Sequence, residues 1–144
     1  MKRNKFAICL SWAAVAACMG AIYWFSSRSG GESQNQSDFF AAFFNLPLSS
    51  FIIRKGAHFL EFTGLAVLLF IALRLSFGYF RPFLALIIAA VYAASDEIHQ
   101  LFVEGRACRI FDWFTDSLGA ASGIIVLCLI VVIFYRKRGV GIDR

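Results

Sequence analysis

The sequence predicts an all-α integral membrane bundle of four transmembrane helices, with a short interfacial helix between the first and second. Three observations carry this. Of the 144 residues, 60% are hydrophobic and only 16% are charged, a balance far to the apolar side of a soluble domain. The apolar residues fall in four long runs, at about 6–25, 56–75, 80–102 and 113–135, and a run of that length crosses ~30 Å of hydrocarbon at ~1.5 Å per residue. The connections after the second and third runs are short, so the chain reads as one membrane domain, 1–144.

Residues 6–25 contain no charge and follow Lys2, Arg3 and Lys5. Val15-Ala16-Ala17-Cys18 resembles a lipoprotein cleavage box, but the chain stays apolar after the cysteine, where a cleaved protein turns polar, so the segment is assigned as a span. The next connection opens with the polar stretch 26–37, which reads as a flexible loop. Phe39/Phe43 and Phe40/Phe44 then pair at i,i+4 behind an N-cap at Ser37 or Asp38, until Pro47 ends the pattern. This short helix lies in the outer leaflet, as a lipid anchor for the loop or a lid over a site. In the second span the run 62–73 is too short alone and must begin near Arg54 or Lys55. Residues 76–80 form a tight connection with a glycine. In the third span 82–94 supplies only about 20 Å, so the helix must continue through Asp96 toward Phe102.

This length argument draws charged residues into the membrane. Lys55, His58 and Glu61 step by three along the second span, and Asp96, His99 and Gln100 share one face of the third with Glu97 at its margin. On the fourth, Asp112, Asp116, Gly119 and Gly123 align in a narrow arc, and the GxxxG spacing lets a neighbouring backbone approach closely. Ionisable groups in a bilayer turn toward protein or water, so three helices bearing carboxylates should face one another, opposed by Lys55, His58, His99 and Arg106, with Arg54 or Arg109 nearby. A shared polar pocket results. Pairs such as Lys55 with Asp112, or Arg106 with Asp96, would alternatively clip the helices together.

With the N-terminus inside, Lys2, Arg3, Lys5, Arg74, Arg81, Arg136, Lys137, Arg138 and Arg144 fall on the cytoplasmic side, and Arg28, Arg54, Lys55, Arg106 and Arg109 outside. Both termini are therefore placed in the cytoplasm and the polar site faces outward. Every acidic residue except Asp143 also lands outside. The net charge of +5 reflects membrane orientation and gives no support to nucleic-acid binding. Cys9, Cys18 and Cys128 fall within spans and Cys108 stands alone in a loop, so no disulfide framework is indicated.

Phe25-Ser26-Ser27 after the first span, Lys55-x-x-His58-Phe59-x-Glu61-Phe62, Ser95-Asp96-Glu97-x-His99-Gln100-x-Phe102, Gly105-Arg106 and Asp112-x-x-x-Asp116-x-x-Gly119 together resemble the VanZ-like family of small membrane proteins. The resemblance covers nearly the whole chain. It departs at Arg28, where the family usually has Gln, at Phe62 for Tyr, and at Glu104 for Pro, which leaves the Gly105 turn less rigid. It implies four transmembrane helices and, for the founding member, low-level teicoplanin resistance, but supplies no reaction.

Three functions remain open. One is an acid–base hydrolase or transferase acting on an envelope lipid or lipid-linked sugar, with His99 or His58 as base, Glu61, Asp96 or Glu97 as acid or metal ligand, and Lys55 with Arg106 as anion clamp. The second is a non-catalytic binder of a lipid-linked cell-wall precursor or lipoglycopeptide. The third is a small transporter, although the inner halves of the spans lack the charges of an ion path. Two histidines and several carboxylates could hold a divalent metal, but no HExxH-type spacing is present.

Overall fold

The computed structural model describes residues 4–137; Lys2, Arg3, Arg138, Asp143 and Arg144, used above for orientation, lie outside the described residues. The chain is all-helical among the described residues, in the order α1 (Lys5–Ser26), α2 (Gly30–Phe43), α3 (Ser50–Phe77), α4 (Pro82–Gln100) and α5 (Ile110–Lys137). All but α2 are long and apolar enough to cross a membrane. The chain is a multi-pass membrane protein.

Helix α3 is the hub, packing against each of the other four and most extensively against α5. It supplies half of the buried apolar core, from Phe62 to Leu73. α4 meets it with Ala85, Ala89 and Ala93, spaced by four and fully buried, a small-residue stripe that lets backbones approach closely. α5 does the same with glycines. A Cβ on Gly119 would overlap the Phe59 carbonyl oxygen, and one on Gly123 would sit 2.8 Å from the Thr63 carbonyl oxygen. Thr63 Oγ1 lies 2.7 Å from Phe59 O and 2.8 Å from Gly119 O, so its single proton bridges the two helices. The outward faces of the spans, such as Phe83, Ile125, Val126 and Ile133, are exposed apolar surface suited to hydrocarbon.

The turns follow local chemistry. α3 ends at Gly78 in the left-handed region (φ 83°), and Pro82 stands at the start of α4. α3 begins at Ser50, earlier than the Arg54 or Lys55 expected from length, and carries the charged stretch wholly inside the helix. α4 ends at Gln100, so Ser95 to Gln100 form its last turns, and i→i−3 hydrogen bonds from Leu101, Phe102 and Val103 close the end.

The 26–54 connection corrects the sequence reading. Residues 30–37 are helical, and α2 starts not at Ser37 or Asp38 but behind Ser29. Ser29 Oγ accepts from the Glu32 amide at 3.2 Å, and Glu32 Oε2 accepts from the Ser29 amide at 3.0 Å, a complete capping box. The Ser29 amide, and then the Ser29 hydroxyl donating to the same Oε2 at 3.2 Å, hold the Glu32 carboxyl below its ordinary range. Ser33 and Ser37 are buried toward the bundle, and further along α2 Phe39 stacks on Phe43 and Phe40 on Phe44, all four exposed. The helix stops before Pro47, with Asn45 at φ 49°.

Candidate functional site

The C-terminal ends of α1 and α4, the N-terminal halves of α3 and α5, and α2 meet at one end of the bundle. Gly30 at the start of α2 donates its amide to the Glu104 carbonyl at 2.9 Å, and Gly105 takes φ 70° to allow this contact. That turn brings Arg106 over the α3 residues. Its Nε donates to Arg28 O at 3.2 Å and its guanidinium also reaches Phe25 O at 3.5 Å.

Beneath it lies a cleft of about 240 Å³ between α1, α2 and α3, lined by Phe25, Ser33, Gln36, Ser37, Phe40, Ile53, Arg54, Ala57, His58, Glu61 and Arg106. A smaller recess of about 20 Å³ continues toward α5, bounded by Arg54, Lys55, His58, Glu97, Gln100, Arg106, Asp112 and Asp116. His58 lines both, with Arg54 and Arg106. Its Nδ1 stands 3.9 Å from Asp116 Oδ2, one wall behind the cleft. Asp116 is only 1% exposed, and that Oδ2, like Glu61 Oε2, is buried with no hydrogen-bond partner among the described residues.

The other predicted residues are held by firm partners. Lys55 forms an ion pair with Asp112, as the sequence allowed. Arg106 does not pair with Asp96. Asp96 is buried and accepts from Ser26 Oγ at 2.8 Å and Gln100 Nε2 at 3.0 Å, which ties α4 to the end of α1. Glu97 accepts from the Arg109 amide at 2.8 Å and fixes the entry to α5. His99 is set apart from the cleft. Its ring packs at a tilt against Tyr23 with centroids 4.6 Å apart, and Nε2 lies 3.1 Å from Ser27 Oγ.

Of the residues picked out from sequence, the structure thus gathers Lys55, His58, Glu61, Glu97, Gln100, Arg106, Asp112 and Asp116 around the cleft and recess, places Asp96 behind them, and leaves His99 facing α1. Arg54 was underweighted: it lines the cleft and the recess, and its place four residues before His58 on α3 was the available signal. The polar α2 residues Ser33, Gln36 and Ser37 were missed along with the first turns of their helix. Burial, and then the neighbouring Arg54 charge, hold Arg106 below its ordinary pKa, while Asp96, Glu97 and Glu61 pull it back. Among the described residues no three His, Cys, Asp or Glu side chains gather as a metal site requires.

A family model described as VanZ/LLP1 matches residues 11–134. The chain belongs to the VanZ/LLP1 family. The match runs from within α1 to within α5, so it contains the whole polar end of the bundle. No curated protein and no solved structure matches this VanZ/LLP1 protein.

Proposed function

We propose that this VanZ/LLP1 protein is an acid–base enzyme, a hydrolase or transferase, acting on the polar end of an envelope lipid or lipid-linked sugar. The observation that carries the reading is His58, backed by buried Asp116 and opening onto a cleft that also holds Glu61. A base oriented by a carboxylate, with a second carboxyl group one turn further along α3 in the same cleft, is an arrangement that supports proton transfer. His58 takes the proton of an attacking water or acceptor hydroxyl, and Glu61 in its acid form returns one to the leaving oxygen. Hydrogen bonds between catalytic groups are often long before substrate binds and tighten with it in place.

A second reading, a non-catalytic binder, draws support from the ties of Lys55, Asp96, Glu97 and Asp112, which are structural partners. Glu61→Gln separates the two. Lipid and glycolipid profiles of deletion and overexpression strains, read beside teicoplanin susceptibility, should differ, and Glu61→Gln should reproduce the deletion profile at a normal membrane level. A variant that behaves as wild type would leave the binder.

The proposal places the cleft on the outer side with both termini cytoplasmic. Arg74, Arg81, Arg136 and Lys137 at the opposite end of the bundle support it, with the apolar helices spanning between the two ends. Cys108 is an exposed thiol in the α4–α5 connection. A membrane-impermeant maleimide should label it in intact cells, with Cys108→Ser as the control; labelling only after lysis would reverse the orientation.

A further inference from the structure

The carboxylates at this end of the bundle are nearly all occupied. Asp112 is paired with Lys55, Asp96 accepts from Ser26 and Gln100, Glu97 accepts from the Arg109 amide, and Asp116 stands against His58. Glu61 alone is left in the cleft, and it forms no ion pair. Lining the cleft with it are two guanidinium groups. Arg54 makes no hydrogen bond or ion pair among the described residues, and Arg106 engages only the main-chain carbonyls of Arg28 and Phe25. Two like charges therefore line a cleft in which Glu61 is the one carboxylate, the others nearby being engaged elsewhere, with most of their N–H donors directed at no protein acceptor.

We infer that Arg54 and Arg106 anchor the phosphoryl group of a membrane lipid whose head group enters the cleft. The inference deepens the reading above and rests on the cleft being where ligand is taken. A guanidinium is a planar fork that matches phosphate oxygens in pairs, and two of them relieve their own repulsion by sharing one anion. The size of the cleft selects the part that enters. At 240 Å³ it falls below the ~300–1,000 Å³ of pockets that engulf a drug-sized molecule, so a head group fits while the chains stay outside. Phe25, Phe40, Ile53 and Ala57 give the wall an apolar side, and the exposed Phe39, Phe43 and Phe44 continue it over α2. An amphiphile meets charge at the floor and hydrocarbon at the rim.

The full chain in a neutral detergent, titrated with phosphatidic acid, diacylglycerol or inorganic phosphate and read by native mass spectrometry, tests this. Phosphatidic acid should be retained over diacylglycerol, and R54Q and R106Q should each weaken retention roughly 10-fold, the loss expected for one charge-assisted contact. R106K keeps the charge but not the fork and should also weaken it, which preserves the test if R106Q fails to fold. H99N should bind as wild type does, because His99 lies against Tyr23 and Ser27 away from the cleft; retention is read without turnover, so failure of the catalytic reading is seen separately. Equal retention by wild type and both glutamine variants, or of diacylglycerol and phosphatidic acid, would overturn the inference. Displacement of the lipid by an equal concentration of inorganic phosphate would overturn the lipid assignment.

Discussion

Replacing His58 by asparagine is expected to lower turnover by about 10²–10⁴-fold, the usual contribution of a general base, while the protein reaches the membrane at its normal level. Asparagine keeps a polar group of similar reach, able to donate toward Asp116, but cannot accept and release a proton in the physiological range. The packing cost should be modest, because the His58 side chain, although only 14% exposed, makes a single long polar contact, to Asp116 at 3.9 Å, and lines the cleft and the recess. His99→Asn is the informative contrast. Both histidines lie in charged surroundings on adjacent helices, yet His99 packs against Tyr23 and touches Ser27 away from the cleft, so its loss should leave turnover near wild type. Measuring both variants for lipid turnover and membrane level decides between them. Wild-type turnover in His58→Asn, or an equal loss in His99→Asn, would remove His58 from its role.

The two histidines also show where the sequence stops speaking. Span count and approximate bounds follow from the bilayer, which demands long apolar runs and permits few loops. The stripe of Lys55, His58 and Glu61 and the arc of Asp112, Asp116, Gly119 and Gly123 follow from 3.6-residue periodicity; of the two interhelical pairs these faces allowed, Lys55 with Asp112 forms and Arg106 with Asp96 does not. A helical wheel places His99 beside Asp96 and Gln100, but it cannot say which neighbour covers that sector. The end of α1 does, through Ser26 and Ser27. The start of α2 was hidden for a different reason. Residues 30–37 hold no apolar period and two glycines, so only the Ser29-x-x-Glu32 cap marks a helix there. With that turn unread, the polar α2 side of the cleft could not be anticipated.

The largest structural effect should come from Gly119→Val, for which we expect a loss of folded, monodisperse protein after detergent extraction. Between apolar helices in lipid there is little hydrophobic drive, so association rests on close van der Waals packing and interhelical hydrogen bonds. At Gly119 the neighbour is backbone. An added Cβ overlaps Phe59 O and lies 3.1 Å from the Phe59 Cα, and no rotamer change can make room. The helices must separate, which costs about 1–3 kcal/mol or more for overpacking of this kind, and the Thr63 bridge to Gly119 O is lost with it. The damage would extend to the site, because Asp116 lies one turn from Gly119 and reaches His58 only while α3 and α5 remain in contact. Gly119→Ala should fall between wild type and valine. Gly64→Ala, on α3 where an added Cβ meets nothing within 4 Å, should be neutral or slightly stabilising, since alanine is favoured over glycine in a helix by ~1 kcal/mol. Fluorescence-detected size-exclusion profiles and thermal denaturation of the three variants would measure the series. Equal yield and stability for Gly119→Val and Gly64→Ala would show that the α3–α5 contact does not hold the bundle together.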